Sequence, residues 1–150
     1  MRTYAVAKPL VMSQETPFDI VTRHLVMEKD LNAFGNLFGG NMLAWIDEAS
    51  ALYVMEQIGF ANFVTVSFDD VNFKAPARRG DQVYISCRIL KTGRSSITVE
   101  TIAEIHAPVT GSHEETIRCK VTFVCLTDNK PFAYFESEDY KKFRLQKTQT

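Results

Sequence analysis

One carboxylate in this sequence sits where carboxylates are costly. Asp47 falls in the middle of a stretch from about Asn41 to Gln57 that lacks Gly and Pro and is apolar on almost every side. A helix of that character belongs inside a protein, and a buried carboxylate is unfavourable unless it is paired or has a task. Its helical neighbours Leu43, Ser50, Ala51 and Val54 are small or apolar. Two readings stand at this point. The carboxylate is a structural polar group tied to backbone or hydroxyls, or it works, as a general base on water or as a nucleophile. Glu48 lies about 100° round the helix and reads as a structural or interface partner.

Three short segments could assist such a carboxylate. Gly39-Gly40 immediately precedes the helix; the pair is either a tight turn or an opening through which helix N-terminal N–H groups stabilise a developing oxyanion. Asn36, between Gly35 and Leu37, is a residue type that tolerates unusual turn dihedrals. Gly93-Arg94-Ser95-Ser96 has the composition of a hairpin connection carrying a solvated arginine.

The elements that must hold these residues follow from periodicity. Residues 1–16 carry little pattern and are expected to be an N-terminal extension. Phe18 to Val26 reads as a strand ended by Glu28-Lys29-Asp30. The glycine-punctuated loop follows, then the helix, with Asn41 as its expected cap and Gly59 as its stop. After it the period becomes two. Val64, Val66 and Phe68 share a side, and the shift of apolar residues to Val71 and Phe73 implies a bulge or bend near Asp69 and Asp70. Val83, Ile85, Cys87 and Ile89 line one face of the next strand. Ile97, Val99, Ala103 and Ile105 line one face of a strand over 97–106, with Glu100 and Glu104 outward. Ile117, Cys119, Val121, Phe123 and Cys125 line a strand over 114–126, with Arg118 and Lys120 outward. Opposite charges on neighbouring outer faces fit antiparallel pairing. A tail over 127–150 carries a short helix near 137–146. Strands with one apolar face need a cover, and the one large apolar element is the helix. The expected fold is α+β, a single domain over 1–150 in which a curled antiparallel sheet wraps one long central helix.

Composition removes other classes of function. The chain has 150 residues, 23% of them charged, and a net charge of −1, which argues against nucleic acid or an anionic membrane as partner. The basic patches at 77–80 and 140–144 are short and read as solvated surface. The most apolar helix is too short for a bilayer and contains two acids, and the N-terminus lacks a secretion-signal pattern. Three cysteines on strand inner faces, an odd number without a paired motif, suit buried reduced thiols in the cytoplasm. His24, His106 and His113 have no metal-ligand spacing, so no metal and no separate cofactor is expected.

The element order, together with Asn36-Leu37-Phe38-Gly39-Gly40 running into Met42-Leu43-Ala44-Trp45-Ile46-Asp47-Glu48-Ala49, resembles the hotdog-fold acyl-CoA thioesterases, within them the acyl-CoA hydrolase group. Val64 to Pro76 resembles the family's second strand, and Lys91-Thr92-Gly93-Arg94-Ser95-Ser96-Ile97 its coenzyme A loop. The likeness covers roughly residues 18–126. It implies hydrolysis of acyl-CoA to a carboxylic acid and coenzyme A, with Asp47 as base or nucleophile and Asn36 as the second catalytic residue, the two meeting across a dimer. It also implies that Gly93, Arg94, Ser95 and Ser96 contact phosphate; Gly39 and Gly40, where the helix carrying the carboxylate starts, are expected to bind the thioester. Lys74, Arg78 and Arg79 are weaker candidates for phosphate, and Phe73 for the pantetheine or acyl channel. A homodimer is the minimum assembly, since bare sheet edges are rare, and the resemblance suggests a hexamer, a trimer of dimers. Two alternatives remain: a hotdog hydratase or dehydratase, which would want a histidine paired with a carboxylate in or beside the central helix, against which counts the absence of histidine between His24 and His106, and a non-catalytic acyl-CoA-binding module, which could dispense with the Asp47 that is present.

Overall fold

Strict alternation puts one side of each strand on the core, and in the computed structural model, which describes residues 16–149, that side is continuous across five strands. These are β1 (Asp19–Leu25), β2 (Phe63–Asp69), β3 (Gln82–Thr92), β4 (Ser96–Ala107) and β5 (Ser112–Thr127), all antiparallel, in the order β1-β3-β4-β5-β2. A short β6 (Lys130–Pro131) adds to β5. The expected inner rows of β3, β4 and β5 are all buried. Helix α1 (Gly39–Ile58) lies across them, packed on β3, β4 and β1. This is the α+β arrangement expected from the sequence. The expected extension over 1–16 lies outside the described residues except for Thr16.

The helix departs from expectation in two ways. It starts at Gly39, with extended Phe38 at its N-cap and no side-chain cap. Asn41 does not cap it; its Nδ2 donates instead to the Asp30 carbonyl at 3.1 Å. Nor is α1 buried all round: Gly40, Ala44, Glu48, Leu52 and Met55 form an exposed stripe on the side away from the sheet. One sheet covers one side of a helix, so the apolar residues opposite stay open in a single chain. The C-terminus is as expected. Gly59 has φ +62°, and a Cβ there would sit 2.5 Å from Phe143.

Strand β2 corrects a second expectation. Pairing with β5 slips between Thr65 and Ser67, which makes Val66 the extra residue of a bulge. Phe63, Thr65 and Phe68 therefore face α1 and the core, while Val64 and Val66 point outward on an edge strand, 46% and 53% exposed. Phe68 does not share the side of the two valines. The bend expected at the aspartates is present, at Asp70 with φ +60°.

Charges outside the sheet pair as expected at Glu100, which binds Arg118 at 3.2 Å and Arg88 at 2.6 Å. Lys120 reaches Asp70 instead, and Glu104 reaches His106. The tail joins the core through buried Ala133 and Tyr134. It ends in α2 (Glu138–Thr148), whose cap Ser137 accepts from the Tyr140 N–H. Cys87, Cys119 and Cys125 are free and buried; loss of hydration pushes their thiols up to about 11, 12 and 11 respectively.

Two buried polar contacts hold α1 in place. Thr101 completes the inner row of β4, and its hydroxyl meets that of Ser50 at 2.8 Å with both residues fully buried. On the β1 side, His24 stacks on Trp45 of α1, ring centroids 4.4 Å apart, and its Nε2 is buried with no hydrogen-bond partner among the described residues. Thr101→Val should cost about 1–3 kcal/mol in urea unfolding because it removes the hydroxyl that pairs with buried Ser50. The Ser50→Ala/Thr101→Val double variant should lose less than the two single losses added. Burial lowers the His24 pKa below its ordinary value, against the raising influence of Glu48 and Asp30. The folded state thus favours neutral imidazole, and that stability is intact above about pH 6.5 and is lost as pH falls toward the depressed folded value. Melting temperatures through this window should fall less steeply in His24→Phe, which keeps the stack and removes the proton site.

Candidate active site

Asp47 sits on the flank of α1 that faces β2. There the Thr65 hydroxyl donates to its Oδ1 at 2.6 Å, the one hydrogen bond the carboxylate accepts among the described residues. The group is half-buried, so it is neither sealed in the core nor fully solvated. A carboxylate held from one side keeps its remaining lone pairs for water or an electrophile. Thr65 did not stand out in the sequence. In a Val-Thr-Val run the threonine reads as the solvent-facing residue, but β2 is an edge strand and the valines are the outward ones.

The start of α1 offers a different kind of group. The N–H groups of Gly39 and Gly40 donate to no acceptor among the described residues, and they lie at the positive end of the helix dipole. Two half-exposed rings flank them. A Cβ on Gly39 would lie 3.2 Å from the Phe73 ring, and one on Gly40 would lie 2.8 Å from Phe38. Beside them is an open, mainly apolar pocket of about 320 Å³, bordered by Leu37, Gly39, Met42, Phe73, Lys74 and Thr116 among others.

Asp30 secures this corner, a role the sequence did not reveal. It is buried, and its carbonyl accepts from both the Phe38 N–H, at 2.9 Å, and Asn41 Nδ2. Its carboxylate accepts from the Met27 N–H at 2.9 Å. That bond above all holds the Asp30 carboxyl below the usual range, with Lys29 assisting. The available signal was an acid directly ahead of a glycine-rich loop, which was read as a strand terminator.

A single chain groups some of the expected residues and separates others. Gly39, Phe73 and Lys74 share the pocket, although Lys74 is already paired with Glu115 at 3.0 Å. Asn36 lies in the loop closed by the Leu31–Leu37 bridge, and its backbone bridges Arg78. Arg79 pairs with Glu28. Asp47 is eight residues into the helix from Gly39, about 12 Å along its axis. The Gly93–Ser96 hairpin pairs with the far end of β5. Ser96 is opposite Val124, eight residues or about 26 Å from Thr116 in the pocket wall. Arg94 is exposed there. Asp47, the glycine N–H groups and the hairpin therefore form three separate places on one chain.

The histidines are likewise not isolated. His106 and His113 face each other across the β4–β5 turn, centroids 3.8 Å apart, and Tyr84 stacks on His106. Hairpin register makes partners of residues seven apart in sequence. Among the described residues no group of three or more His, Cys, Asp or Glu is placed to hold a metal ion, and no helix is long and apolar enough to cross a membrane.

Comparison with known proteins matches this geometry to one family. A model of the thioesterase superfamily matches residues 34–111, from the loop before α1 to the β4–β5 turn. An uncharacterized acyl-CoA thioester hydrolase of Haemophilus influenzae is 31% identical over 113 residues, 73% of each chain. Another, from Zymomonas mobilis, is 36% identical over 78 residues, so the matched stretch spans about half (52%) of that relative. Among solved structures, a hexameric thioesterase from Yersinia pestis superposes with a TM-score of 0.71 at 33% identity, covering 77% of this chain and 93% of that one. An acyl-CoA hydrolase from Staphylococcus aureus, solved in complex with butyryl coenzyme A, coenzyme A and coenzyme A disulfide, superposes at 0.68 with 30% identity, covering 85% and 80%. Since the family match spans more than half the chain and begins at the loop that leads into the Asp47 helix, the protein belongs to the thioesterase superfamily.

Proposed function

We propose that the protein hydrolyses the thioester bond of acyl-CoA, releasing a carboxylic acid and coenzyme A, with Asp47 as general base or nucleophile. The observation that carries this reading is the Asp47 carboxylate, half-buried and held from one side by Thr65 at 2.6 Å. As base, Asp47 takes a proton from water as its oxygen attacks the thioester carbon. As nucleophile, it attacks that carbon itself, and water then hydrolyses the mixed anhydride. In either route the carbonyl oxygen becomes an oxyanion before coenzyme A leaves as thiolate. The unengaged N–H groups of Gly39 and Gly40 are suited to that charge, since donors already in place need not reorganise during the reaction.

The same reading requires assembly. Asp47 and the glycine pair lie about 12 Å apart along one helix, so the working site joins Asp47 and Thr65 of one protomer to Asn36, Gly39 and Gly40 of its partner. Val64 and Val66 on edge strand β2, and separately Leu52 and Met55 on the open side of α1, are exposed apolar residues that such a dimer could cover. The Yersinia pestis neighbour is hexameric, and a hexamer is the assembly we propose here, with Arg94 and its hairpin serves as phosphate contact from a neighbouring protomer. Three free buried thiols suit a reducing, cytoplasmic setting.

One observation favours a second reading, a hydratase. His24 does lie beside the central helix, against Trp45 and within electrostatic reach of Glu48. Loss of enoyl-CoA absorbance on incubation with the protein would support it.

Free-thiol release from a panel of acyl-CoAs tests the main reading. Asp47→Asn should lower kcat by about 10²–10⁴-fold while the melting temperature stays near that of the parent. Hydrolysis by that variant at the parental rate would remove Asp47 from the mechanism. Thr65→Val, which leaves the carboxylate without its donor, should lower kcat by about tenfold.

A further inference from the structure

We propose that Tyr134, in the C-terminal tail, is a positioning residue for the Gly93–Ser96 hairpin and so for the Arg94 guanidinium that meets substrate phosphate. This rests on the thioesterase reading and on Arg94 as its phosphate contact. The hairpin is a closed unit. The Gly93 N–H donates to the Ser96 carbonyl at 2.7 Å, and a Cβ on Gly93 would run into the Ser96 hydroxyl. Arg94 is exposed and bound to no carboxylate among the described residues. Its place therefore depends on what holds the two arms of the hairpin.

The tail grips both arms. On one side, buried Cys125 of β5 donates its N–H to the Ser95 carbonyl at 2.7 Å and accepts the Phe132 N–H on its own carbonyl at 2.8 Å. The adjoining β6 runs along β5, with Pro131 opposite Leu126 and Lys130 opposite Thr127. Two residues past Phe132, Tyr134 reaches the other arm. It is 7% exposed, and its hydroxyl is in hydrogen-bond contact with the Thr92 side chain. A buried phenol needs such a partner, and this one is the last residue of β3, two positions from Arg94. The phenol is itself fixed. Phe135 and Tyr140 meet its ring edge-on, with centroids 5.6 and 5.5 Å away, and Ser137 donates both its N–H and its hydroxyl to the Tyr134 carbonyl. The tail in turn is braced at the end of α1, Phe132 against Phe60 and Phe143 against Gly59. The hairpin is thereby referenced to the helix that carries Asp47. A charge already held in place gives up less freedom when phosphate binds, so the contact contributes more to affinity.

Steady-state hydrolysis of an acyl-CoA and of the matching S-acyl pantetheine, which lacks the nucleotide phosphates, tests this in the assembled protein. Tyr134→Phe should raise KM for the acyl-CoA about two- to tenfold. It should leave kcat near the parental value and KM for the pantetheine ester unchanged. Thr92→Val removes the same contact from the hairpin side and should reproduce that pattern. In an Arg94→Ala background, Tyr134→Phe should raise KM no further. An unchanged KM in Tyr134→Phe, an equal rise for both esters, or a full further rise on top of Arg94→Ala would overturn the assignment and leave the thioesterase reading standing. Absence of all acyl-CoA hydrolysis by the parent would sink the thioesterase reading instead. Calorimetric titration with free coenzyme A then decides the role of Tyr134: weaker binding by Tyr134→Phe supports it, and equal binding, or none by either protein, overturns it. Should Tyr134→Phe melt or assemble unlike the parent, the Thr92→Val comparison decides alone.

Discussion

A 20-residue helix with apolar residues on both of its long sides meets a sheet that can cover only one of them. Much of the structure answers to that constraint. Packed on β3, β4 and β1, the helix buries Met42, Ile46, Ala49, Tyr53 and Val54, which satisfies the hydrophobic demand of one side. The other side leaves Ala44, Leu52 and Met55 at the surface, and edge strand β2 turns two valines outward. The bulge at Val66 sharpens the contrast. It lets Thr65 and Phe68 both face inward although they are three residues apart.

Packing alone would leave α1 free to slide and rotate, because apolar contacts are non-directional. Directional contacts remove that freedom at intervals along the helix. The Asp30 carbonyl holds Phe38 and Asn41 at the N-terminus, Thr65 holds Asp47 just short of midway, Thr101 holds Ser50, and Gly59 ends the helix under Phe143. Each polar partner lies on a different element. The position of Asp47 is thereby tied to the sheet through Thr65 and through Ser50 one turn on. A group held this way is fixed in orientation, the condition that the proposed role of Asp47 calls for.

Some of this could be read directly from the residues. Alternation placed thirteen inner residues of β3, β4 and β5 correctly, because a period of two has one solution once a face must be buried. Gly59 marked the helix end because only a residue without Cβ fits both the left-handed backbone and the approach of Phe143. Asp47 stood out because an acid in an apolar helix conflicts with its surroundings, and such conflicts collect at working sites. Asn41 was misread as a cap because capping depends on where the loop before it is pinned, and the pin is Asp30, eleven residues earlier.

The sequence by itself therefore determined the α+β class, the inner face of the long strands and the identity of the anomalous carboxylate, since all three depend on local period and composition. Tertiary structure alone decided what Asp47 touches, which side of β2 faces water, that His106 and His113 are neighbours, and that Gly39, Asp47 and Arg94 lie apart on one chain. Those facts depend on register, a bulge and the path of a helix across a sheet. Each is set by the sum of many distant contacts, so no short stretch of sequence encodes any of them.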